Sequence, residues 1–345
     1  MRGNKEFFPL SLRKRFFDFL TKKEYNLLIL SSNTNIMSIE NPTTLQEQSE
    51  NPTQKRSDTL AGNLAESKEK IEKVEEVMAD LQVIMNIEDP ENQKQAMQVF
   101  VEKRLKELEK EVPEKQNTLS LVGNRAEGQF IHPETEIKRS WMVDGFKVND
   151  PEIYTVLLEN IRKIYKHWNQ PNLRSITGHS VIYALSEYFG NHFGTQNTEE
   201  RNREFYLDHT TADSEIINLS ELKGKNLAVC AEKATVAHNY LKFLGIDSHV
   251  VFSNNCKLGD STDGHAYAIF ATKNGRFIFD PTNPILVEDN DGKINSVNPA
   301  LYKISEEDYN HLLNRDNHQV SVQHIDQKLD NGKYISQEPQ NRVYG

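Results

Sequence analysis

Cys230, His265 and Asp280 are the residues whose types and order fit nucleophilic chemistry on an amide. In such chemistry a thiolate attacks the carbonyl. An imidazole holds the thiol's proton and later gives it to the leaving amine, and a carboxylate orients the imidazole and stabilises its charged form. Cys230 opens a helical pattern in which Ala234, Ala237, Tyr240, Leu241 and Leu244 recur on one face and Gly245 marks the stop. At a helix start, unbonded N–H groups and the positive end of the dipole favour a thiolate. His265 to Ala271 reads as a strand, Lys273-Asn274-Gly275 as a hairpin turn, and Arg276 to Asp280 as the returning strand. Antiparallel pairing brings the two outer ends of that hairpin side by side, so His265 and Asp280 are expected to meet. Singly, each residue has an ordinary explanation: a small buried hydrophobe, a strand-end histidine and a turn aspartate. Their joint order and spacing carry the expectation of a catalytic site.

The elements that must position these residues are legible around them. His249 to Ser253 alternates like a further strand, a helix is expected near Glu306 to Leu313, and a strand at Val320 to His324. Upstream, Asp150-Pro151 starts a helix carrying Ile153, Leu157, Leu158 and Ile161, and a second runs from about Ser175 to Phe189, ending at Gly190. Residues 59–113 show two apolar stripes, Leu60 to Met85 and Met97 to Leu108. Asp89-Pro90 fits the second helix start, so the segment reads as a helical hairpin or short coiled coil whose stripe fits plain helix packing, with self-association or a protein partner through residues 60–111 as the alternative. Residues 1–58 read as a basic leader followed by a disordered tail, 114–146 as a linker, 147–336 as the catalytic domain, and 337–345 as a loose tail.

The blocks Ala228-Val229-Cys230-Ala231-Glu232-Lys233-Ala234, Leu244-Gly245-Ile246, Gly264-His265-Ala266-Tyr267 and Phe279-Asp280-Pro281-Thr282 together resemble the transglutaminase-like superfamily. The resemblance covers roughly residues 219–285, and more loosely 147–318. It implies an α+β fold of the papain-like, transglutaminase-like type, with the cysteine helix packed on an antiparallel sheet. It also implies acyl transfer through a thioester, without metal or organic cofactor. Members include transglutaminases, peptidases, amidases and inactive relatives, so three readings stay open: a cysteine peptidase or amidase, a protein-glutamine transglutaminase, and an inactive domain that binds peptides or proteins. The chain departs from the family in carrying His249 where many members have an arginine, and in a glycine-poor approach to the cysteine, Lys223-Gly224-Lys225-Asn226. The Cys230 N–H is the natural first oxyanion donor. Asn226 is a side-chain candidate for the second, with a plain turn role as the alternative.

Bulk properties bound the remaining choices. With 37% apolar and 27% charged residues, the chain suits a globular domain with polar extensions. A formal charge of −10 does not favour nucleic acid as a partner. Two cysteines, Cys230 and Cys256, make no disulfide framework and fit a reducing, cytoplasmic setting, with export lacking a classical signal as the alternative. No stretch reaches the roughly 20 apolar residues of an integral membrane helix. A zinc set of Cys230, His238, Cys256 and His265 lacks compact ligand spacing. The expected substrate is a protein or peptide. Tyr267, two residues from His265 on the same side of its strand, is a candidate for the substrate-binding wall. The polar run from Ser253 to Gly264 reads as a loop that admits water, which tilts the expected acceptor towards hydrolysis.

Overall fold

The structure, a computed structural model, describes residues 72–112, 118–121, 125–139, 145–148, 152–168, 179–193, 216–225, 227–258, 261–272, 274–288, 294–314, 319–323 and 341–345. The leader and tail of residues 1–58, and Asn226, lie outside these. The described residues belong to one compact unit, Lys70–Gly345. It is α+β.

The central element is α5 (Cys230–Phe243), whose side chains are buried all round except at Lys242. Ala231, Ala234 and Ala237 keep it slim, so sheet can approach one side and helices the other. The sheet comprises β6 (Asp247–Leu258), β7 (Ser261–Thr272), β8 (Gly275–Glu288) and β9 (Ile294–Ile304) in consecutive antiparallel pairing. β11 (Asn341–Tyr344) joins the outer end of β6 and is flanked by β10 (Val320–Gln323). β2 (Arg125–Glu127) also pairs with β6, giving seven strands. A smaller sheet runs β1 (Thr118–Leu121), β3 (Glu136–Arg139), β4 (Gly145–Lys147) and β5 (Ile216–Asn218), and mixes parallel with antiparallel pairs.

The period-2 alternation of β7 divides the core into two layers. Ala266, Ala268 and Phe270, with Phe277 and Phe279 of β8, belong to the layer that includes Ala234, Ala237 and Leu241 of α5. Tyr267, Ile269 and Ile278 belong to the opposite layer, closed by Tyr302, Tyr344, and Tyr309 and Leu312 of α6 (Glu306–Asn314).

Four expectations are corrected here. The helical pair 72–85 (α1) and Pro90–Glu111 (α2) is not a separate coiled coil. Its stripe of Val77, Leu81, Met85, Met97, Phe100 and Leu108 enters the main core, and Arg104 Nε donates to the Phe243 carbonyl at 3.2 Å. The apolar face thus packs into this chain's own core, the plain-packing reading of the stripe, rather than being left for a partner. The segment 114–146 is not a linker. Its described residues include β1 to β4, and Leu119, Phe130, Ile131, Ile137 and Phe146 are buried. The helix expected to stop at Gly190 is α4 (His179–His192), which runs past it; α3 (Glu152–Trp168) precedes it. Finally, residues 341–344 of the expected loose tail are the strand β11.

Candidate functional site

Cys230 is the first residue of α5, preceded by Val229 in extended conformation. Glu232, in the first turn, accepts the Val229 N–H at 3.1 Å, which ties down the chain entering the helix and sets a carboxylate at its positive end. The middle of α5 is clamped to the segment after β2. Asn239 Oδ1 accepts the Ile131 N–H at 3.0 Å, and Asn239 Nδ2 donates to the Ile131 carbonyl at 2.8 Å. His238 Nε2 meets the Gln129 carbonyl at 2.8 Å, and burial pushes that imidazole down to about 3, so it stays neutral. The helix ends as its Leu-Gly-Ile exit implies. Gly245 takes a left-handed φ of 79°, its N–H reaches the Lys242 carbonyl, and the Ile246 N–H reaches that of Leu241.

His265 and Asp280 sit at two irregularities of the sheet. β6 shifts register between Ser253, the partner of His265, and Cys256. β8 leaves β9 between Asp280 and Ile285, where Pro281 has no N–H to give. The backbone N–H groups of Thr282 and Asn283 turn instead to Asp280 Oδ1, at 3.0 and 3.2 Å. Asp280 Oδ2 accepts His265 Nε2 at 2.8 Å, Asn283 Nδ2 at 3.1 Å and the Tyr344 hydroxyl at 3.0 Å. Asp280 is 1% exposed and His265 7%, so little water screens the pair.

The electrostatics follow from that enclosure. Burial disfavours the charged Asp280 carboxylate, but His265, Arg342 and the Thr282 N–H outweigh it and hold the group well below the usual carboxylate range. Burial likewise opposes charge on His265. Asp280, and to a lesser extent the nearby Cys230, nevertheless raise its proton affinity well above the ordinary value. Because Nε2 is engaged by Asp280, Nδ1 is the ring nitrogen left for the thiol. Lys233, on the same helix and 2% exposed, is pulled down to about 8 by burial against the opposing pull of Glu232, Asp280 and Cys230.

The structure pairs the expected His265 and Asp280, and Cys230 opens α5 near enough to His265 to act on its proton affinity. It does not put Tyr267 on a cleft wall. That side chain is fully buried, packs edge-on against Tyr344 at 4.8 Å and donates its hydroxyl to the Gly345 carbonyl at 2.8 Å. β11 covers the face on which it was expected to meet substrate. Cys256 is not in a polar loop but in β6, buried, and burial raises its thiol's pKa. The described residues of the polar run 253–264 form the outer ends of β6 and β7, with Ser261 paired to Leu258; residues 259–260 lie outside the described residues. His249 has Nδ1 3.4 Å from the Tyr309 hydroxyl. Sequence reasoning missed Lys233, Arg342, Asn283 and Tyr344. Lys233 lies three residues after Cys230, a spacing that puts both on one helix face and was a usable signal.

No protein-family model matches this chain, and no curated protein and no solved structure matches it either.

Proposed function

We propose that this chain is a thiol-dependent acyl-transfer enzyme of the transglutaminase-like, papain-like kind, working on peptide or side-chain amides in a reducing compartment such as the cytoplasm. The observation that carries the reading is the buried His265–Asp280 pair, at 2.8 Å, near Cys230 at a helix N-terminus.

In this reading His265 Nδ1 takes the Cys230 proton and the thiolate attacks the amide carbonyl, forming a C–S bond. The Cys230 N–H, at the positive end of α5, faces the developing oxyanion. The C–N bond breaks as His265 returns the proton to the leaving amine. Water then gives a proton to His265, adds to the thioester carbonyl and expels the thiolate, leaving a carboxylic acid. Asp280 holds the imidazolium formed in each half-reaction. Water is the acceptor we favour, because the neighbours of His265 at the surface, Gly264 and Asn254, are exposed and polar and give no apolar cover to a thioester.

The test is acylation by an activated peptide ester, followed by peptide mapping. The reading expects an adduct on Cys230 that turns over in the native protein and forms slowly in His265→Ala. An adduct elsewhere, or equal rates in the two proteins, contradicts it.

A further inference from the structure

The shell around Asp280 is completed by residues far from it in sequence. β11 runs beside the outer end of β6, with Arg342 opposite Leu258 and Val343 opposite Lys257. That register carries Tyr344, fully buried, to the back of the His265–Asp280 pair. Its ring is 6.5 Å from that of His265 and edge-on to Tyr267, so packing fixes where its hydroxyl points. The hydroxyl goes to Asp280 Oδ2, the same oxygen that receives His265. Arg342, from the same strand, donates to the Asn283 carbonyl, while the Asn283 amide donates to Asp280 Oδ2. Two routes therefore lead from β11 to one carboxylate oxygen.

We propose that Tyr344 is a positioning residue for the His265–Asp280 pair: its hydroxyl pins Asp280 Oδ2 against the imidazole and draws off part of the negative charge which that oxygen presents to it. The proposal rests on the functional reading above. A donor to a carboxylate competes with every other donor for the same charge. Without the Tyr344 hydroxyl, Oδ2 keeps more charge for His265, and the imidazolium holds its proton to higher pH. The other ionisable groups facing the pair are Cys230 and Lys233 from α5, Cys256 from β6, Tyr267 from β7, Tyr302 from β9 and Arg342 from β11; of these, Tyr302 and Arg342 also interact with Tyr344 itself.

The experiment is the pH dependence of Cys230 alkylation by iodoacetamide in the full chain, read by peptide mapping. It is run for the native protein, His265→Ala, Tyr344→Phe and Asn283→Ala. Phe keeps the buried ring and removes only the hydroxyl, and Asn283→Ala removes a second donor from the same oxygen. The native profile should show an alkaline limb, set by loss of the imidazolium, that His265→Ala abolishes. Tyr344→Phe should move that limb up by roughly half a pH unit, and Asn283→Ala should move it the same way. A limb that His265→Ala abolishes but Tyr344→Phe leaves in place, or moves down, overturns this proposal alone. A profile that His265→Ala leaves unchanged overturns the functional reading and the proposal together.

Discussion

Lys233 shares one buried end of α5 with Cys230, three residues away, so an ammonium group and the candidate nucleophile occupy the same nearly dry space. Burial brings the ammonium down to about 8, against 10.5 for an ordinary lysine, so the folded state gives up this proton more readily than the unfolded chain. The cost to stability is fully present below about pH 8 and disappears as pH rises through about 10.4. The stability of Lys233→Met relative to the native protein should therefore fall as pH rises from about 8 to about 10.4, as measured by urea unfolding. The same change removes a cation beside Cys230 and should slow its alkylation several-fold. A relative stability independent of pH, with equal reactivity, would show that Lys233 is merely a packing residue.

The raised proton affinity of His265 gives stability a definite pH dependence. The group's contribution is fully present below about pH 6.5 and is lost as pH rises through the higher folded value. The stability advantage of the native protein over His265→Ala should shrink as pH rises above neutrality. Asp280 behaves in the opposite sense. Its lowered value contributes stability above about pH 3.9 that is lost on acidification, so the advantage over Asp280→Asn should shrink below pH 4. Denaturant midpoints measured across both ranges check this, and differences independent of pH would contradict it. Both variants should also slow acylation of Cys230 by about 10²–10⁴-fold.

The end of α5 gives a purely structural prediction. Gly245 closes the helix at a φ of 79°, and a Cβ there would lie 3.4 Å from the Val74 backbone of α1. Gly245→Ala should cost about 1–2 kcal/mol, measured by thermal or denaturant unfolding. An unchanged midpoint would mean that the exit from α5 relaxes without cost.

Acceptor choice is tested by partitioning. With a pool of glutamine-containing peptides and an excess of labelled primary amine, free acid or cleaved peptide should dominate, because the exposed residues beside His265 are polar. Predominant incorporation of the amine would make the protein a transglutaminase.

These elements differ in how far the sequence announces them. α5 is legible because three local signals agree: an apolar face, a helix-start cysteine and a glycine exit. The β7–β8 hairpin is legible from alternation around a turn, and Ala271 pairs with Arg276 as that turn requires. The outer ends of β6 and β7 are not, because Asn254, Asn255 and Asp263 look like loop residues while a register shift keeps the strands paired. β1 to β4 are too short for any period to stand out, and Ile131 is held by Asn239 of the distant α5. Tyr344 sits in a strand of four residues whose partners lie far back in the chain, and nothing local distinguishes it. The stripe of α1 and α2 was visible, but a stripe states that a face is covered and not by what.

The most direct test of the site is limited alkylation of the full chain with one equivalent of iodoacetamide at neutral pH, followed by peptide mapping of both cysteines. Both thiols are nearly closed to solvent, so exposure alone does not separate them. Cys230 has an imidazole partner and a helix N-terminus, whereas burial raises the pKa of Cys256. The account predicts label on Cys230 almost alone, with that preference lost in His265→Ala. Equal labelling of the two cysteines, or preference for Cys256, would contradict it.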